Sequence, residues 1–169
     1  MEIILCLHNI RSTYNVGAIL RTAEGLGIRE VICSGYTPSN LNPNLLPHLA
    51  DKIENQIAKT ALGAEKLVPI RWTDDLRKLL KRYKEDGWQI IGLENRIDDD
   101  RKYTLGSPIL LSRLRDKAVL ILGEEIQGID RELYDDVDLF VEIPMVGKKE
   151  SFNVSVAAGI ALYALKTAF

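Results

Sequence analysis

The sequence predicts an α/β fold, a mostly parallel sheet with helices on both faces. Short apolar runs of strand length alternate with segments whose apolar residues recur at helical spacing. Several of the strand runs are apolar at every position, as strands covered on both faces are. The 169 residues, 46% hydrophobic and 27% charged, suffice for one ordinary domain with a substantial core. Disordered and low-complexity classes are thereby excluded.

The elements follow in order. Ile3 to Leu7 is the first strand. A stripe at Val16, Ile19, Leu20 and Ala23 marks a helix that Gly25 and Gly27 stop, with Asn15 in the N-cap place. Val31 to Cys33 is a second strand, and Tyr36 to Pro47, with prolines at 38, 43 and 47, is a loop. Ile53, Ile57, Ala58 and Ala61 predict another helix, followed by a short strand near Leu67 to Ile70. Leu76, Leu79, Leu80 and Tyr83 form the inner face of a third helix, whose outer face carries Arg77, Lys78, Lys81, Arg82 and Lys84.

Trp88 to Leu93, Ala118 to Leu122 and Leu139 to Ile143 are further strands; Asp130 to Asp136 is a turn or short helix. The run Asp98-Asp99-Asp100 reads as a solvated loop. The last helix, Asn153 to Thr167, has no charge between Glu150 and Lys166, and Val154, Val156, Ile160, Leu162 and Leu165 occur all round it. A helix without a polar face needs cover on every side. A homodimer through this C-terminal helix, two-fold symmetric, is therefore expected.

A net charge of −2 gives no global pull toward polyanions. Cys6 and Cys33 lie in apolar runs and read as core thiols of a reduced compartment. With His8 and His48 they make no metal-ligand spacing, so no metal is expected. The start, Met1 to Leu7, lacks the features of a signal peptide. Ser151 to Leu165, the longest uncharged apolar stretch, falls short of the roughly 20 residues that a bilayer requires. A cytoplasmic protein without a membrane segment is expected.

Ligands of open α/β sheets bind beyond the carboxyl ends of the strands, and three polar clusters fall there. The first is Asn9-Ile10-Arg11-Ser12 with Asn15, Gly17 and Arg21. Capping explains Asn15, and solvation explains Arg21, which faces away from Val16, Ile19 and Ala23. On a functional reading, Arg11 and Arg21 converge on a phosphate or ribose, to which guanidinium is well matched. The second cluster, Leu122-Gly123-Glu124-Glu125-Ile126-Gln127-Gly128, is either a tight turn with two exposed glutamates or a place where Gly123 lets backbone approach a ligand. Ile129 stands where a P-loop requires lysine.

The third cluster runs from Ile143-Pro144-Met145 through Gly147, Lys148 and Lys149 to Ser151-Phe152-Asn153-Val154-Ser155. Ser151 or Asn153 can cap the last helix, and the two lysines can be plain surface charge. A dehydrogenase is set aside, because no G-x-G-x-x-G follows the first strand and Gly25-Leu26-Gly27 ends a helix.

In this order and spacing, the three clusters resemble the motifs of the SpoU/TrmH family of RNA 2′-O-ribose methyltransferases, in the SPOUT superfamily. The likeness spans nearly the whole chain. It implies a C-terminal deep trefoil knot, S-adenosylmethionine bound between the loops after Leu122 and Ile143, a homodimer, and tRNA or rRNA as the substrate. Many relatives carry an extra RNA-binding domain; here the length and the lack of a dividing linker predict one methyltransferase domain over residues 1–169 with no added RNA-binding domain.

Carried over by position, Arg21 matches the arginine assigned to activating the ribose hydroxyl, and Asn15, Glu125, Ser151 and Asn153 match the other catalytic positions. Leu122, Gly123, Glu124, Gly128, Ile143, Met145, Phe152 and Asn153 match the cofactor site. Asn9, Arg11, Arg21, Lys148 and Lys149 are the expected RNA contacts. Glu124 departs from the family, in which Asn or Ser is common, as does Phe152, in which Leu is usual. Arg21 is either a base or a fixed positive charge, and charge stabilisation is favoured because guanidinium stays protonated. The rival reading is a non-catalytic RNA- or cofactor-binding protein that keeps the knotted fold.

Overall fold

The computed structural model describes residues 1–95 and 97–168. The strands are β1 (Glu2–His8), β2 (Glu30–Ser34), β3 (Ile70–Thr73), β4 (Gln89–Leu93), β5 (Lys102–Thr104), β6 (Lys117–Leu122) and β7 (Leu139–Glu142). The helices are α1 (Thr13–Gly25), α2 (Pro47–Ala61), α3 (Leu76–Glu85), the short α4 (Pro108–Leu111) and α5 (Val154–Thr167), with 3-10 turns at Ala64–Lys66 and Arg131–Asp136. The seven strands form one sheet in the order β3-β2-β1-β6-β4-β7-β5, and every pairing in it is parallel.

The two-residue alternation of a strand sorts β1 between two cores. Ile3, Leu5 and Leu7 pack with residues of α1, α2 and α5, while Ile4 and Cys6 pack with residues of α3 and the turn Arg131–Asp136. Helices thus cover both faces, as expected. Gly17 lets α1 lie directly on α2: a Cβ there would come within 2.3 Å of the Ile57 carbonyl oxygen. Cys6 and Cys33 are both buried, and desolvation pushes each thiol up to about 12.

Several expectations need correction. The N-cap of α1 is Ser12, whose hydroxyl accepts from the Asn15 amide at 3.3 Å, so Asn15 lies inside the helix with its side chain available for other work. The strand expected near Leu67 to Ile70 begins only at Ile70, because Leu67 ends a 3-10 turn and is 70% exposed. An edge strand alternates, and Ile70-Arg71-Trp72-Thr73 does so rather than running apolar throughout. The opposite edge, β5, and α4 went unforeseen; three and four residues are too few to show a period. Among the described residues no helix is long and apolar enough to cross a membrane.

Candidate functional site

The carboxyl ends of β4, β6 and β7 open into one cleft. Its walls come from Leu93 to Asn95, the loop Leu122 to Gly128, Ile143, and the segment Ser151 to Ala157 at the start of α5. Five of the expected cofactor positions besides Glu124 line it: Leu122, Gly123, Gly128, Ile143 and Phe152. Met145 and Asn153 lie outside that lining.

The loop after β6 closes on itself. The Glu124 amide donates to the Gly128 carbonyl and the Gly128 amide to the Glu124 carbonyl, both at 2.9 Å. A Cβ on Gly123 would stand 2.3 Å from the Gly128 carbonyl carbon, so glycine is required by the loop's own closure. Gly128 adopts φ +75°, which also favours glycine. The expected pair of exposed glutamates is half wrong. Glu124 is only 4% exposed and turns inward, its Oε2 accepting the amides of Ile126 and Gln127, whereas Glu125 is exposed.

Asn15 links the three clusters. Its Nδ2 donates to Glu125 Oε1 at 3.1 Å, and its Oδ1 accepts from Asn153 Nδ2 at 3.3 Å. Asn153 is also the N-cap of α5, accepting from the Ser155 amide at 2.9 Å and from its hydroxyl at 2.7 Å. Ser151 is exposed and lines the same cleft as Glu125.

The cations are placed differently from one another. Arg11 Nη2 lies 2.9 Å from Glu124 Oε1, and the Arg11 main-chain amide faces Glu125 Oε2 at 3.5 Å. A hydrogen bond to the Tyr36 hydroxyl, with the Glu124 charge, pushes the Arg11 guanidinium further above its ordinary value. Arg21 is exposed on α1, has no hydrogen bond or ion pair to a described residue, and is not among the residues lining the cleft. Lys148 and Lys149 are exposed. Asn9 commits both ends of its amide within the chain: Nδ2 donates to Asp130 Oδ2 at 3.0 Å and Oδ1 accepts from the Tyr36 amide at 3.2 Å. On α3, Arg77 pairs with Asp136 and Lys84 with Asp138, which neutralises part of that basic row.

Two further cleft residues, Glu94 and Asn95, belong to none of the three motif clusters. Asn95 completes β7 like an extra rung, donating from Nδ2 to the Ile143 carbonyl at 2.8 Å while Oδ1 accepts the Ile143 amide at 2.9 Å. Glu94 Oε2 accepts the Ile129 amide at 3.1 Å and so steadies the end of the β6 loop. The signal was present: two polar residues directly follow the apolar run of β4, at a carboxyl end where ligands collect.

The model of the SpoU rRNA Methylase family matches residues 2–163. A 23S rRNA (guanosine-2′-O-)-methyltransferase of Neisseria meningitidis serogroup B is 32% identical over 160 residues, covering 95% of this chain and 56% of that protein. Among solved structures, the TrmH/SpoU tRNA modifying enzyme of A. aeolicus superposes with a TM-score of 0.76 at 24% identity, over 99% of this chain and 75% of that one. The AdoMet-bound rRNA methyltransferase of Sinorhizobium meliloti gives 0.73 at 22%, over 96% and 55%. These structural likenesses establish a shared fold. The chain spans little more than half the length of the curated relatives it matches.

Proposed function

Because the chain belongs to the SpoU rRNA methylase family, we propose that it transfers a methyl group from S-adenosylmethionine to a ribose 2′-hydroxyl of tRNA or rRNA. The observation that carries this reading is the bridge from Asn15 to both Glu125 and Asn153, which draws three distant segments to the rim of one cleft.

The residues present suit the cofactor. A purine, a ribose and a cationic sulfonium call for apolar walls, main-chain amides and carboxylates. The cleft offers Leu93, Leu122, Ile143 and Phe152 as walls, the backbone of residues 122–128 as polar edge, and Glu94 and Glu125 as carboxylates. Leu122, Gly123, Gly128, Ile143 and Phe152 would hold it. Glu124 contributes through the shape of its loop, since its carboxylate is turned into that loop. When bound, the cofactor supplies an already activated methyl group.

What the chain must then do is manage the nucleophile. A ribose hydroxyl is a weak acid, so the site must orient it and stabilise negative charge as its proton leaves. Ser151, exposed on the cleft wall, and Asn153, fixed by Asn15 and by its capping bonds, can hydrogen-bond the ribose. Arg21 lies outside the cleft lining of the single chain, and its assignment as a fixed positive charge for the developing alkoxide and its neighbouring phosphate rests on the family resemblance and on guanidinium staying protonated. Arg11, Lys148 and Lys149 supply exposed positive charge for RNA.

A homodimer and a knot belong to the same proposal. On α5, Val156, Ile160 and Tyr163 recur on one face and are 48%, 37% and 62% exposed, an apolar stripe suited to a second copy. The entry of β6 between β1 and β4, and of β7 between β4 and β5, is compatible with a threaded C-terminal segment, and the family resemblance is what argues for the knot. A cytoplasmic setting fits the two buried, unpaired thiols.

Incubation with methyl-labelled S-adenosylmethionine and total RNA, followed by digestion to nucleosides, tests the assignment. Label in a 2′-O-methylated nucleoside is expected; label on a base, or none, overturns it.

A further inference from the structure

We propose that Arg11 is a positioning residue for the cofactor: its guanidinium holds the buried Glu124 carboxylate, and through it the turn of residues 124–128, in the shape that receives S-adenosylmethionine. This rests on the methyltransferase reading of the cleft. It gives Arg11 a part in cofactor binding even when no RNA is present.

Glu124 is the reason. Its side chain is 3% exposed, yet the two amides of Ile126 and Gln127 satisfy only Oε2. Oε1 is buried without an aligned hydrogen bond, and the charge near it is Arg11 Nη2 at 2.9 Å, reaching in from a side chain that is 62% exposed. A carboxylate buried without a counter-charge is costly, and the loop can relieve that cost only by turning Glu124 outward. Turning it outward removes the acceptor of the Ile126 and Gln127 amides and leaves the turn that lines the cleft to its two Glu124–Gly128 main-chain bonds. A neutral side chain at 124 has no such need of a cation.

Arg11 is itself held from behind. Asn9 sits at φ +61°, a left-handed conformation that asparagine tolerates better than most residues, and is fixed there by Asp130 and by the Tyr36 amide. Asp130 Oδ2 also meets His8 Nε2 at 3.0 Å, and His8 Nδ1 lies 2.8 Å from the Ser34 hydroxyl. The strand ends of β1 and β2 and the end of the β6 loop therefore converge on the segment that delivers the guanidinium.

The test is calorimetric titration of S-adenosylmethionine, without RNA, into wild type, Arg11→Met, Arg11→Lys, Glu124→Gln and the double variant Arg11→Met/Glu124→Gln. Arg11→Met is expected to weaken cofactor binding roughly tenfold, and Arg11→Lys by less. The double variant should bind within about threefold of Glu124→Gln alone, because the neutral amide removes the need for a counter-charge. Amide exchange at Ile126 and Gln127 should quicken in Arg11→Met and return toward wild type in the double variant. A purely structural role would lower thermal stability and leave the affinity of the folded protein unchanged. Arg11→Met that binds the cofactor like wild type, losing only RNA affinity, overturns the inference alone. Wild type that binds no cofactor overturns the methyltransferase reading with it.

Discussion

Asn15 donates to Glu125 across 3.1 Å and 110 positions of sequence, tying the first turn of α1 to the loop after β6. The same side chain accepts from Asn153, the cap of α5. One short amide thus couples three segments that the chain order keeps far apart. Its freedom to do so depends on Ser12, which performs the capping that would otherwise occupy it.

Asn15→Ala removes both bonds and leaves Glu125 and Asn153 without their shared partner. Methyl transfer should fall roughly 10- to 100-fold, with a stability loss of about 1 kcal/mol. Single-turnover assays and thermal melts on the same preparation separate the two effects. Unchanged turnover would mean that the bridge is not part of the working site.

Arg21 separates charge from guanidinium chemistry. If it stabilises developing negative charge, Arg21→Lys should retain most activity, whereas Arg21→Ala should lose on the order of 100-fold or more in kcat. RNA affinity measured alongside shows whether the loss is chemical. Arg21→Lys as inactive as Arg21→Ala, with RNA affinity intact, would assign the guanidinium a chemical role instead.

The exposed stripe of α5 predicts a particle of twice the 19.0 kDa chain mass in light scattering. Ile160→Glu should return it to the single-chain mass, since an ionised side chain cannot be buried in an apolar contact without great cost. Wild type that runs as one chain would remove the dimer from the account.

Arg101 grips Asp99 through Nε at 2.9 Å and Nη2 at 2.7 Å, holding the Asp99 carboxyl down at about 2. The side-chain hydrogen bond from Arg101 is the leading cause. A carboxylate depressed below its unfolded value of roughly 3.9 stabilises the fold above that value. The contribution disappears as pH falls toward 2. Melting temperatures of wild type and Asp99→Asn should therefore differ by a constant amount above about pH 5 and converge near pH 2. A gap that persists at pH 2 would show that the pair contributes no charge-dependent stability.

The expected loop Asp98-Asp99-Asp100 illustrates what a sequence can and cannot carry. Exposure of Asp98 and Asp100 was legible from composition, but the fork between Asp99 and Arg101 was not, because it depends on the local fold of the turn. The central strands were legible because β1, β4 and β6 are buried on both faces and read as unbroken apolar runs. The edge strands β3 and β5 were misplaced or missed because one alternates and the other is three residues long.

At the site, the motif spacing marked the right loops, yet not the work of each side chain. Glu124 and Glu125 are adjacent in sequence and opposite in fate, one buried into its own turn and the other exposed beside Asn15. Only the return of Gly128 onto Gly123, a contact set by folding, decides which faces inward. Glu94 and Asn95 joined the cleft through β4, whose place beside β7 no local pattern announces.

The proposed methyl transfer requires the ends of β4, β6 and β7 to form a single cofactor site. Titrating S-adenosylmethionine into isotopically labelled protein, and following backbone amide resonances, tests it directly. The amides of Gly123, Ile126, Gly128, Ile143 and Phe152 should shift together along one saturation curve. Shifts confined to one of these loops, or appearing only at the other end of the sheet, would contradict the account.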